Sequence, residues 1–252
     1  MKILSSYSIK GGVGKTALAV NLAYALCAAG RRTLLLDLDP QGAASFYFRV
    51  DSAEKFRMRT AKAMAEGLRG NIRESDFPGL DIIPSNLGYR NFDIMLDGMV
   101  KRRKQLRNVL EEFKADYDII LMDCPPNITL LSENVFRASD AILAPVIPTV
   151  LSRRTFEQLT GFFEDEDLPC EKLRPFFSMV QKRNKMHREI MADLPAAYPG
   201  FLKTVIPFSA DVEKMGVHRM PLLAYAPTCE AAVAYRALCT EILSPTSPRV
   251  IL

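Results

Sequence analysis

Residues 8–16 read SIKGGVGKT. Gly11, Gly12 and Gly14 permit a tight backbone with positive φ that side chains would obstruct. Placed between a strand and a helix, such a turn points its amide N–H groups at an anion, and the helix N-terminus adds the positive end of its dipole. Lys15 would reach the β- and γ-phosphates of a nucleotide, and the Thr16 hydroxyl would ligate Mg²⁺. Val13 and Ala17 complete the stretch that wraps the phosphates. Two positions depart from the general pattern G-x-x-x-x-G-K-[ST]. Ile9 stands where the first glycine belongs, and a second lysine, Lys10, follows it.

Three carboxylates extend this chemistry. YDIILMDCPP (117–126) is an apolar strand ending in Asp123, the form of an acid that holds Mg²⁺ through water. Pro125 and Pro126 stiffen the loop after it, where a sensor of the γ-phosphate would lie. In LLLDLDPQGAAS (34–45), Asp37 and Asp39 alternate by two, so both face one side as a strand ends. One would stand near the metal and the other would position the attacking water. Each acid taken singly also fits an ordinary strand terminus; beside the glycine loop they outline one nucleotide site.

These residues need strands and helices to hold them. Apolar runs predict strands at 2–9, 31–39, 79–85, 117–123, 141–146, 173–180 and 201–207. Helical spacing predicts helices at 16–30, 53–68, 100–114, 129–138, 152–164, 186–194 and 229–243. Continuous apolar strands alternating with helices predict an α/β fold, a doubly wound and mostly parallel sheet in a single domain. The expected domain spans 1–243, and the Pro/Ser-rich residues 244–252 are expected to be a disordered tail.

The 252 residues carry a formal charge of +4, compatible with a polyanionic partner without specifying one. The five cysteines are odd in number and lack C-x-x-C spacing, which argues against a disulfide framework or metal cluster and for a reducing compartment. The N-terminal apolar stretch is too short for a signal peptide, and no run approaches the ~20 residues needed to span a bilayer. A soluble, cytoplasmic protein is expected. His187 and His218 form no metal or triad pattern and are expected at the surface or near a nucleotide base.

In this order and spacing, KGGVGKT, LLLDLDPQGAAS and YDIILMDCPP resemble the ParA family of deviant Walker A ATPases, a wider group that includes MinD. FFSMVQKRNKMHREIM (176–191) and the segment 204–243, with PLLAYAP before its last helix, extend the likeness over nearly the whole chain. The resemblance implies ATP and Mg²⁺ as cofactors. It implies that Lys10 crosses a dimer interface to the nucleotide of the facing subunit, and that Lys15 holds phosphate. Thr16 would ligate the metal, Asp37 and Asp123 would lie near it, and Asp39 would orient water. Pro207 and the segment Val180–Arg183 would border the adenine.

By the same resemblance, the protein is a weak ATPase that dimerises on ATP and binds DNA without sequence preference. A ParB-like adaptor would stimulate hydrolysis, and the cycle would position or partition a cargo on the nucleoid: a plasmid, a chromosome region or a large protein assembly. The basic runs 101–107 and 182–188 are the densest, with Arg153, Arg154, Lys203, Lys214 and Arg219 elsewhere. Lys182, Arg183, Lys185, Arg188 and Lys214 are the expected DNA contacts. Family arginines that follow the Ile-Pro pair are replaced here by Phe208 and Asp211, within IPFSADVEK. A membrane role would need a basic amphipathic C-terminal helix, which LSPTSPRVIL does not supply. Cys124 is expected to be a small buried residue and not a cluster ligand, and no small-substrate constellation is visible. The alternative is an ATP-dependent protein-interaction switch that recruits partners without DNA.

Overall fold

The computed structural model describes residues 1–52, 60–85, 96–97 and 102–244. Seven strands form one sheet in the order β3-β4-β2-β5-β1-β6-β7. They are β1 (Lys2–Ser6), β2 (Thr33–Asp37), β3 (Arg73–Glu74), β4 (Leu80–Ile83), β5 (Ile119–Asp123), β6 (Ala141–Val146) and β7 (Leu173–Phe177). All neighbours run parallel except the two-residue edge strand β3, which pairs antiparallel with β4. The apolar runs are strands because both faces of the sheet are covered: every residue of β2, β5, β6 and β7 is buried.

The helices sort by the period-two alternation of those strands. Ile3, Leu34, Leu36, Ile120, Met122 and Ile142 share one core with Phe113, Val135, Phe136 and Phe163. That core lies under α3 (Ala61–Gly70), α4 (Gln105–Glu111), α5 (Leu130–Ala138) and α6 (Val150–Asp165). The alternate residues Leu4, Leu35, Leu121 and Leu143 face the opposite core. There they meet α1 (Lys15–Ala28) and α8 (Glu230–Leu243), which pack on each other, and the short α2 (Ala43–Tyr47). A smaller cluster joins Phe156 of α6 and Phe177 of β7 to Ile190 and Leu194 of α7 (Lys185–Ala197). Helices on both faces make the sheet doubly wound, as the sequence pattern predicts.

One expected strand does not form. Residues 201–207 run beside β7 and bond to it at their ends, through Leu202 N–H to Pro175 O at 2.8 Å and Ile206 N–H to Phe177 O at 2.9 Å. Between those points the chain turns away, because the Glu241 carboxylate accepts the Lys203 and Thr204 N–H groups at 2.7 and 2.9 Å. Only the isolated bridge Val180–Pro207 remains. The helix expected at 53–68 occupies 61–70, and residues 53–59 lie outside the described chain. The helix expected at 100–114 is ordered over 105–111, with 100 and 101 outside it. From residue 245 the expected tail also lies outside the described residues.

Candidate functional site

The loop between β1 and α1 is anchored at both ends. The Ser6 hydroxyl, at the end of β1, donates to Lys15 O at 2.9 Å. Gly12 and Gly14 have φ of 71° and 96°. A Cβ on Gly14 would stand 3.2 Å from Ser178 Oγ, which itself donates to Val13 O at 3.0 Å. Glycine at 14 therefore answers both a backbone and a space requirement. Gly14 caps α1 with no side-chain bond, and the first turn contains no acid, so its amides remain available to an anion. Ile9, in place of the usual glycine, packs against the core and fixes the loop's entry.

The two lysines take different places. Lys15 is 7% exposed and donates from Nζ to Lys10 O at 3.2 Å. Burial pushes its pKa down, against the pull of Asp123 and Asp39. Lys10 reaches away from the loop, and its Nζ donates to Ser152 Oγ at 3.1 Å. Ser152 belongs to the first turn of α6, where the Thr149 hydroxyl also donates to it at 3.1 Å. No local pattern in the sequence marks Ser152, 142 residues away, as a partner of Lys10.

Beside the loop stand two fully buried acids. Asp37 and Asp123 are register partners at the ends of β2 and β5, and Ser6 of β1 is in register with Asp123 on the other side. Asp37 Oδ2 accepts from Ser45 N–H at 2.8 Å and Ser45 Oγ at 2.6 Å. Its Oδ1 and both oxygens of Asp123 have no hydrogen-bond partner. The Thr16 hydroxyl lies close enough to draw the Asp123 pKa down, yet forms no bond of ordinary geometry with it. Burial pushes the Asp37 carboxyl up to about 6, against the two Ser45 bonds. Burial, then the neighbouring Asp37, pushes Asp123 well above the carboxylate range. Adjacent buried carboxylates with orphaned oxygens call for a cation.

The donor set narrows which cation. Among the described residues no three His, Cys, Asp or Glu side chains converge on one point. Two carboxylates and a hydroxyl suit a hard ion that completes its shell from water and phosphate, as Mg²⁺ does. Asp39 stands apart from the pair: β2 ends at Asp37, and Asp39 is only partly buried, with Oδ1 accepting Gln41 N–H at 2.9 Å. Its carbonyl is held by Ser85 Oγ at 2.5 Å and Gly42 N–H at 2.9 Å. Cys124 is buried against the same acids, and burial drives its thiol pKa up.

A pocket continues from Gly14 and Ala17 to Met179, Pro207, Phe208 and Tyr235. Pro207 is thus beside the loop, whereas Arg183 is not among the lining residues and is exposed. Met179 adopts φ of 54°, uncommon for a residue with a Cβ, in the turn after β7. Ser178 and Met179 fall in the segment 176–191 that carries the family likeness, but no residue pattern singles them out individually, and Phe208 stands out only as replacing a family arginine. His187 is not at the surface, one of the two places expected for it: it is buried, and its Nδ1 accepts Gln181 N–H at 3.1 Å to close the turn before α7. His218 stacks on Tyr225 with ring centroids 4.1 Å apart.

The basic residues are mostly engaged. Lys182 pairs with Glu230 at 2.6 Å, Lys185 with Glu189 at 3.6 Å and Lys214 with Asp211 at 2.9 Å. Arg188 donates to the carbonyls of Lys182 and Arg183. In the other run, Arg102 pairs with Asp97, Arg103 with Glu133 and Glu166, and Arg107 with Glu111 and Asp140; Lys101 lies outside the described residues. Among the described residues, no helix is long and apolar enough to cross a membrane.

A family model described as an AAA domain matches residues 1–167. The cell division protein PomZ of Myxococcus xanthus is 31% identical over 97% of this chain and 77% of its own length. The chromosome partitioning protein ParA of Caulobacter vibrioides is 29% identical over 97% of this chain and 94% of its own. Among solved structures, cobyrinic acid a,c-diamide synthase of Mycobacterium smegmatis, with bound ATP analog and magnesium, is similar in fold. That likeness covers 99% of this chain and 97% of the other, with a TM-score of 0.81 and 24% identity.

Proposed function

This chain belongs to the ParA family of P-loop ATPases, and from that premise we propose that it hydrolyses ATP with Mg²⁺, dimerises on ATP, and positions or partitions a cargo through ATP-gated, non-specific DNA binding. The observation that carries the reading is the Asp37–Asp123 pair with three of its four oxygens unpartnered, lying beside a glycine loop that carries both Lys10 and Lys15. When bound, Mg²⁺ neutralises phosphate charge and fixes the triphosphate. Thr16, Asp37 and Asp123 would hold it, directly or through water. The amides of Gly11 to Ala17 would wrap the phosphates, with Lys15 leaving the Lys10 carbonyl to reach them. Asp39, the partly exposed acid, would orient the attacking water, and Pro207 would border the base. Lys10 would supply charge to the facing subunit's nucleotide, so the constellation completes only in a dimer.

DNA contact is assigned to Arg183 and Arg188, with Lys182, Lys185 and Lys214 exchanging exposed carboxylate partners for phosphate. Exposed ion pairs contribute little and exchange readily. The protein would be cytoplasmic, nucleoid-associated and served by a ParB-like adaptor. A specific observation also favours the second reading, a partner-recruiting switch that uses no DNA: the lysines expected on DNA are ion-paired, and Phe208 is 49% exposed where family arginines would stand. Retention on duplex DNA of random sequence separates the two. With Mg²⁺ and ATP, Asp39→Ala should bind duplex as a dimer, release it in ADP, and lose it steeply as salt rises. Absence of ATP-dependent retention at low salt overturns the DNA reading.

A further inference from the structure

Ser85 lies outside the three motifs that mark the nucleotide site, yet it touches the supports of two of the site's acids. β4 ends at Ile83, in register with Leu36, and Pro84 has no N–H with which to continue the ladder. The next amide, that of Ser85, donates instead to Ser45 Oγ at 2.9 Å. Ser45 and Ser85 are 5% and 4% exposed, so water competes little for these bonds.

The direction of this chain of bonds is set by its chemistry. A hydroxyl has one proton and two lone pairs, whereas an amide N–H can only donate. With the Ser85 N–H on its oxygen, the Ser45 hydroxyl keeps its proton to give, and gives it to Asp37 Oδ2 at 2.6 Å. The Ser45 N–H reaches the same oxygen, so Oδ1 is left as the open oxygen of Asp37. Ser85 has a second arm. Its own hydroxyl donates to Asp39 O at 2.5 Å, alongside the Gly42 N–H. A Cβ on Gly42 would stand 3.5 Å from Ser85 Cβ, so the turn that carries Asp39 packs directly on this serine. We propose that Ser85 is a positioning residue for both acids. Through Ser45 it fixes which oxygen of Asp37 is left for a cation, and through its hydroxyl it sets the backbone from which Asp39 would orient water. This role rests on the ATPase reading and deepens it with a residue from a neighbouring strand.

The two arms can be cut separately in the full chain. Ser85→Ala keeps the N–H and cuts only the Asp39 arm: kcat for ATP should fall about tenfold, with KM unchanged and Ser85→Thr recovering the rate. Ser45→Ala cuts the Asp37 arm. The Mg²⁺ concentration that half-stabilises the chain against thermal unfolding, in a non-hydrolysable ATP analogue, should rise about tenfold in Ser45→Ala and stay at the parent's value in Ser85→Ala. A merely structural serine would lower the melting temperature and move neither readout. Should Ser85→Ala fail to fold, amide exchange on the unaltered chain decides: the Ser45 and Ser85 N–H groups should exchange at least about a hundredfold more slowly than in an open loop. A parent that shows neither hydrolysis nor Mg²⁺-dependent stabilisation overturns the ATPase reading. A parent that shows both overturns the role of Ser85 alone if Ser85→Ala keeps the parent's kcat, if Ser45→Ala keeps its Mg²⁺ requirement, or if those two amides exchange freely.

Discussion

Lys10 and Ser152 are joined by a 3.1 Å hydrogen bond that ties the mouth of the phosphate loop to the first turn of α6. Val150 and Leu151, the first two residues of α6, are 64% and 66% exposed, so the lysine rests beside an uncovered apolar patch. Reaching a facing subunit requires breaking this bond. Ser152→Ala should therefore raise ATP-dependent dimerisation, read by light scattering, while leaving nucleotide affinity unchanged. Lys10→Ala should change fold stability by no more than about 0.5 kcal/mol, as surface substitutions do. It should still lose dimer-dependent hydrolysis by about tenfold or more, the direction expected for an in-trans cation. Unchanged hydrolysis would remove Lys10 from the site.

The Asp37–Asp123 pair makes stability depend on pH. Burial pushes the Asp37 carboxyl up to about 6 from its ordinary 3.8, so the folded form holds its proton more tightly. Its contribution is complete below the unfolded value and is lost as pH rises through about 6. Without divalent cation, thermal unfolding at pH 7.5 should show a penalty from this pair on the order of 1–3 kcal/mol relative to pH 5. Asp123→Asn should relieve that penalty and raise the melting temperature of the cation-free protein at pH 7.5. The same variant should abolish stabilisation by Mg²⁺ with nucleotide. A variant less stable than the parent at pH 7.5 would mean the pair is compensated in the folded chain.

Ser178 is predicted to support the loop from outside it. Its hydroxyl holds Val13 O at 3.0 Å and touches the space above Gly14. Ser178→Ala should cost about 1–3 kcal/mol, the penalty for a buried carbonyl left unpaired, and weaken nucleotide binding. Gly14→Ala should be worse, since it adds a strained φ of 96° to the contact. Calorimetric unfolding and a nucleotide titration on each variant would check both. A Ser178→Ala protein with unaltered affinity would separate the loop's shape from its function.

The phosphate loop, the acids at strand ends and the parallel sheet were legible because each rests on a short local pattern: φ-permissive glycines, apolar strands closing on Asp, continuous apolar runs alternating with helical spacing. Three things were not. Residues 201–207 have the composition of a strand, but whether they pair is decided by Glu241, on another helix. His187 looks like a surface histidine until the turn at Gln181 folds over it. Ser152 becomes a lysine's partner only because β6 lies beside β1 and brings the start of α6 to the loop. Each depends on contacts between residues far apart in sequence, which no window along the chain contains.

Glu241 gives that lesson a measurement. Its carboxylate takes three donors, the Lys203 and Thr204 N–H groups and the Thr204 hydroxyl at 2.6 Å. Glu241→Ala should destabilise the fold by about 2–4 kcal/mol, since it strands several donors at once. Hydrogen exchange should accelerate first at Lys203 and Thr204. Protection that is unchanged there would show that β7 takes over the pairing.

The place of β5 in the sheet also bears on synthesis. β1 pairs only with β5 and β6, and the inner neighbour of β2 is β5 again. A growing chain that has not yet released Ile119–Asp123 carries the phosphate loop on a strand with no partner, and Asp37 on a strand missing its inner side. The loop can therefore be shaped only after the chain through Asp123 has left the ribosome. A stalled nascent chain ending before β5 should fail to retain nucleotide, and one extending past β6 and α6 should begin to.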